Sequence, residues 1–232
     1  FLPQWFPIRF FRDWYPVLLI ALCYREMSIL IAALRTGTAD AWLADVDLAV
    51  WGAHPAAWLV RFQHPAVTEA LELAYAAFVP SVILVGVVLW RREGRRGFRS
   101  YAFLITLGFL ASYVGYLLVP ARGPRFHLAT LPIEPLQGVW VFDSLRNLLD
   151  RLESPHFDCF PSGHVEMTAL AWWASRGVSV SLASAYSVYL VVTMLATVYL
   201  RYHYTLDVLA GLLTAAVVAL SAPALERRLS HG

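Results

Sequence analysis

The chain has 232 residues, of which 59% are hydrophobic and only 15% charged, and its mean hydropathy is +0.59. A soluble domain is nearer half apolar and a quarter charged, so an ordinary soluble globular fold is excluded and an all-α integral membrane protein is indicated, with one domain over residues 1–232. A net charge of +2 without a dense basic tract also excludes nucleic acid as a partner.

The 18 basic residues are all arginine, and alanine is abundant. Both hint at a GC-rich genome; the expected location is a bacterial inner (plasma) membrane. Cys23 lies within an apolar run and far from Cys159, which argues against a disulfide framework. The start of the chain carries Arg9 and Arg12 but no short apolar core with a cleavage site, so no cleavable signal is expected.

In chain order, residues 1–13 are aromatic and basic, as suits a segment at the cytoplasmic interface. Residues 14–34 form the first span, with Arg25 and Glu26 at mid-depth. Ionisable groups there are costly. They are read either as a buried or water-reached pair that fixes packing, or as substrate-facing groups. Residues 36–65 alternate Asp40, Asp45 and Asp47 with Trp42, Trp51 and Trp58, which predicts short amphipathic helices on the membrane. His54 and His64 each precede a proline and read as surface or capping residues.

Residues 66–90 give the second span, with a kink expected at Pro80. Arg91, Arg92, Arg95, Arg96 and Arg99 follow and mark the cytoplasmic side. Residues 98–119 return to the outer side. Residues 126–157 then form an outer loop in which Val141, Phe142, Leu145, Leu148, Leu149 and Leu152 fall at helical spacing. That stretch is expected to be an interfacial helix, either a lid or a plain packing helix. Residues 161–175, 178–200 and 205–222 complete a six-helix bundle with both termini cytoplasmic. Under this topology three polar knots share one outer (periplasmic or extracellular) face: residues 120–125, 157–164 and 201–207.

Each knot carries chemistry. His203 and Asp207 are four apart, so on a helix they share a face. A carboxylate can fix the imidazole tautomer and leave the other nitrogen free as a nucleophile, although the isolated pattern equally describes a satisfied structural histidine. Pro161 suits a first helical turn, whose N–H groups form an anion site. Ser162 adds a hydroxyl, Gly163 allows close approach, and His164 is placed to protonate a leaving group; a simple helix cap is the plainer alternative. Arg122, Arg125 and Arg201 offer guanidinium forks for phosphate oxygens or, alternatively, snorkel to lipid headgroups. Together these groups supply what phosphoryl transfer needs without a metal or other cofactor.

Pro161-Ser162-Gly163-His164 and the His203–Asp207 pair, followed by Val208-Leu209-Ala210-Gly211, resemble the type 2 phosphatidic acid phosphatase superfamily of membrane enzymes. The resemblance covers about residues 98–222, with residues 1–65 holding the first span and interfacial helices. It implies that His203 forms a phosphohistidine, that Asp207 orients it, and that His164 protonates the leaving group. The family's first motif has a lysine that this chain lacks, and Ala196 and Thr197 stand where its third motif has serine and arginine. Arg201, one helical turn after Thr197, would reach the same phosphate. The Pro120, Pro124 and Arg125 pattern resembles the branch containing inositolphosphorylceramide synthase. The implied substrate is a lipid phosphate in the membrane, and the acceptor is water or a lipid or polyol hydroxyl. Two other classes stay open: a non-catalytic lipid-binding or transport protein, and a serine protease built on Ser162. The protease leaves the arginines unexplained.

Overall fold

The computed structural model describes residues 6–34, 37–131, 133–152 and 157–231. The described residues are helical with connecting turns: α1 (Phe6–Leu34), α2 (Asp40–Trp51), α3 (Pro55–Trp58), α4 (Pro65–Ala76), α5 (Phe78–Leu118), α6 (Pro124–His127), α7 (Phe142–Leu152), α8 (Gly163–Ser175), α9 (Val180–Tyr199) and α10 (Thr205–His231). Four helices are long and apolar enough to cross a bilayer: Trp14–Leu34, Phe78–Leu118, Val180–Tyr199 and Thr205–Leu229.

The longest of these is a hairpin. At Gly94 the backbone takes φ 68° and ψ −156°, a conformation that glycine adopts without a side-chain clash. The 78–93 and 95–118 arms fold against each other there: Tyr101 donates to the Val82 carbonyl at 2.8 Å, and Gly86 lies against Tyr101 and Phe98. The break between α4 and α5 falls at Ala77, ahead of Pro80, which sits in the first turn of α5 where its missing N–H costs little.

Helix α8 runs through the middle of the bundle. Ser162 caps it by accepting from Val165 N–H. Val165, Met167, Leu170 and Ala171 are fully buried against α5, α9 and α10. At 13 residues it is about 20 Å long, so it crosses only part of a bilayer core.

Two expectations are corrected at the periphery. Helix α1 starts at Phe6, so the backbone of residues 6–13 is helical and continuous with the Trp14–Leu34 stretch rather than a separate segment; residues 1–5 lie outside the described residues. Arg25 and Glu26 are exposed, because α1 meets the 95–118 arm through Ile20, Cys23, Tyr24, Met27 and Ile31 on its other side. The short helices over residues 40–62 are present, with an unusual polarity. Asp40 and Asp47 are buried at 2% and 3% exposure, while Trp42, Trp51 and Trp58 face outward. His64 caps α4 by accepting from Ala66 N–H at 3.2 Å.

Helix α7 is the amphipathic helix expected between residues 126 and 157. Its start is anchored by Glu69 of α4, whose carboxylate accepts from the N–H groups of Val139, Trp140, Val141 and Phe142 at 2.7 to 3.3 Å.

Candidate active site

Main-chain hydrogen bonds staple the three polar knots together. Cys159 N–H donates to the Ala121 carbonyl at 3.2 Å, Arg125 N–H to the Arg201 carbonyl at 3.0 Å, and Ser162 N–H to the Asp207 carbonyl at 3.0 Å. Gly123 has φ 96° and lies so close that a Cβ there would fall 2.5 Å from the Tyr202 carbonyl oxygen. Buried Asp40 holds this turn from outside: it accepts from Arg122 N–H, Gly123 N–H and the Tyr204 hydroxyl at 2.8 to 3.1 Å. Burial, reinforced by the Asp40 charge, pushes the Tyr204 phenol up, so it stays a hydroxyl donor to Asp40.

This stapling brings His164 and His203 together, with ring centroids 6.2 Å apart and planes tilted at 58°. That separation is too wide for a direct hydrogen bond between the rings. His203 is 4% exposed. Its Nδ1 lies 2.8 Å from the Cys159 carbonyl oxygen and 3.5 Å from Asp207 Oδ2. A carbonyl can only accept, so Nδ1 carries the proton, and in the neutral ring Nε2 is the nitrogen with the lone pair. The tautomer is therefore set chiefly by a main-chain carbonyl, with Asp207 in a supporting place. Asp207 Oδ2 in turn accepts from the Cys159 thiol and Tyr204 N–H, each at 2.8 Å.

Cys159 Sγ, His203 Nδ1 and Asp207 Oδ2 lie within 4.8 Å of one another, the spacing of three metal ligands. The donor set does not fit that role. His203 Nδ1 lies on the Cys159 carbonyl and carries the proton between them, so it has no lone pair for a metal; burial, and then Asp207, push the Cys159 thiol up.

His164 is half-buried. It stacks on Tyr75 at 3.9 Å, and Tyr75 stacks on Tyr202 at 4.1 Å. The far end of this column is cationic, with Arg125 4.5 Å and Arg146 5.2 Å from the Tyr202 ring centroid. The Tyr202 hydroxyl donates to buried Glu72 at 2.7 Å. Ser162 N–H is taken by Asp207 and Val165 N–H by the Ser162 hydroxyl, which leaves the Gly163 and His164 N–H groups as first-turn donors. Buried Glu166, one turn deeper, accepts from the Ser112 hydroxyl at 2.5 Å.

The arginines divide. Arg125 is half-buried and ion-paired with Asp150 of α7. Arg122 is exposed and covers Phe126. Arg201 does not continue α9: it takes φ 67°, and its guanidinium donates to the Glu134 carbonyl at 2.6 Å. Burial, and then the neighbouring Arg146 charge, pull its guanidinium below the ordinary value. Arg146 donates to the Leu200 carbonyl at 3.0 Å and joins the cluster from α7.

A family model described as PAP2 superfamily matches residues 41–221. The chain belongs to the PAP2 superfamily. It is also 30% identical over 99 residues to a PA-phosphatase related-family protein of Dictyostelium discoideum, covering 41% of this chain and 18% of that protein. The chain thus spans less than a fifth of that relative. No solved structure matches.

Sequence reasoning on this PAP2 chain missed Cys159, Arg146, Tyr75 and Asp40. A signal existed for Asp40, because Asp40, Leu43, Ala44 and Asp47 share one helical face and all are buried. None existed for the Cys159 carbonyl, since every residue has one.

Proposed function

We propose that this PAP2 chain catalyses metal-independent phosphoryl transfer from a membrane lipid phosphate. His203 Nε2 attacks phosphorus, and the alkoxide of the lipid leaves with a proton from His164. The Gly163 and His164 N–H groups, Arg122 and Arg125 stabilise the equatorial oxygens. Water then hydrolyses the phosphohistidine, which makes the net reaction a lipid phosphate phosphatase. The observation that carries this reading is the pair of imidazoles with centroids 6.2 Å apart, one of them held at Nδ1 on the Cys159 carbonyl at 2.8 Å.

Transfer to a lipid or polyol hydroxyl, as in the inositolphosphorylceramide synthase branch, is the second reading. It is favoured by the Pro120–Arg125 turn, which Arg125 N–H ties to Arg201 beside the nucleophile. In either case the reacting face is the outer one. Six crossings follow if the two arms of α5 and the short α8 each count as one. The arginines at 91–99 then mark the inner side.

The test is release of phosphate from phosphatidic acid in mixed micelles with chelator, with and without an added acceptor lipid. His203→Ala should fall to background and His164→Ala by about 10²- to 10⁴-fold. Wild-type turnover by His203→Ala would remove the nucleophile assignment.

A further inference from the structure

A second site lies at the arginine-rich end of the bundle, away from the histidines. A cavity of about 570 Å³ opens there between α1 and the 95–118 arm of α5, walled by Pro16 and Leu19 on one side and Arg95, Arg99, Phe103 and Thr106 on the other. It is a window between two sealed zones. Below it, Trp14 packs on Phe98 at 4.7 Å and meets Trp90 at 6.5 Å. Above it, Tyr113 donates to the Ile20 carbonyl at 2.7 Å within an apolar cluster that includes Ile31 and Tyr116. Pro16 lies inside α1, where its ring removes one rung of helix hydrogen bonding and favours a bend at the level of the window.

The wall on α5 changes character with depth. Residues 95, 99, 103 and 106 occupy successive turns of one helix face. Two guanidiniums stand at the mouth, and an aromatic ring and a methyl-bearing side chain follow about 10 Å further in. Arg99 is exposed; Arg95 is half-buried and engaged within the protein. The surrounding segment carries five arginines against Glu93 alone, so the mouth is strongly positive. Cation at the headgroup level and apolar wall at the acyl level match one kind of occupant.

We propose that this window binds an anionic glycerophospholipid of the arginine-side leaflet, its phosphate on Arg95 and Arg99 and an acyl chain along Leu19 and Phe103. The site is independent of the histidine chemistry. It pins α1, which meets the bundle chiefly through the 95–118 arm, against the helix that leads to the Pro120 turn.

The test is native mass spectrometry of the delipidated full chain titrated with phosphatidylglycerol or phosphatidylcholine. The wild type should hold phosphatidylglycerol in preference. Arg95→Gln/Arg99→Gln, which keeps three arginines for orientation, should weaken it about 30-fold, roughly fivefold per arginine. Leu19→Trp keeps both charges, narrows the acyl wall of the cavity and should also weaken the lipid. Unchanged circular dichroism in both variants verifies the fold. Equal affinity for the two lipids, or wild-type affinity in either variant, would overturn the proposal. Inorganic phosphate should fail to displace the lipid; displacement at matching concentrations would reassign the site to a free anion and overturn it too.

Discussion

Among the described residues, His203 is gripped at Nδ1, and the grip is mostly not its sequence partner's. The Cys159 carbonyl stands at 2.8 Å and Asp207 at 3.5 Å. The thiol of the same cysteine donates to Asp207, so Cys159 serves both members of the pair. Cys159→Ala removes a hydrogen bond to a buried carboxylate and should cost about 1.5–3 kcal/mol of stability; Cys159→Ser, which restores a donor, should recover most of it. Denaturant titration in detergent checks both. The thiol is raised in the folded state, so the fold binds its proton more tightly than the unfolded chain does. Its contribution is fully present below the ordinary thiol value of about 8.5 and falls as pH rises past it. The wild-type melting temperature should therefore drop more between about pH 8 and 10 than that of Cys159→Ser, and identical profiles would contradict this. The histidine–aspartate spacing was legible because side chains carry it; the carbonyl was not, because only the fold chooses which one arrives.

At the scale of elements, α2 reverses the rule for soluble amphipathic helices. Its tryptophans face outward while Asp40 and Asp47 face inward and Asp45 stays exposed, since lipid rewards apolar groups on the outside and the protein supplies partners within. The periodicity was readable, but the direction needed the Arg122–Gly123 and Thr205 backbone groups that Asp40 and Asp47 receive. Asp40→Asn replaces an acceptor that serves three donors and should cost about 2–3 kcal/mol. It should also lower turnover, because the Gly123 turn sets where the arginines stand. A stable variant with wild-type turnover would separate α2 from the site. The Arg25–Glu26 pair went the other way for a related reason: Ile20, Tyr24, Met27 and Ile31 already fill the inner face of α1.

For the whole molecule, the sequence held the apolar runs and the three polar knots but not the devices that join them. One glycine at residue 94 turns a 41-residue helix into a hairpin, and three main-chain hydrogen bonds staple the knots. Neither has a composition signature. If the arginine end lies inside and the histidine end outside, single cysteines at exposed Trp140 and exposed Arg96 should be labelled by impermeant maleimide from opposite sides of the membrane. Labelling from one side would refute the topology.

The most direct measurement is to trap the reaction midway. Full-length protein is incubated with phosphatidic acid labelled in its phosphate, with chelator present, and quenched in alkali. The label should be alkali-stable and acid-labile, map to the peptide carrying His203, and vanish in His203→Ala. Label on Ser162 or Cys159, or undiminished turnover with no labelled histidine, would contradict a phosphohistidine held between the two imidazoles.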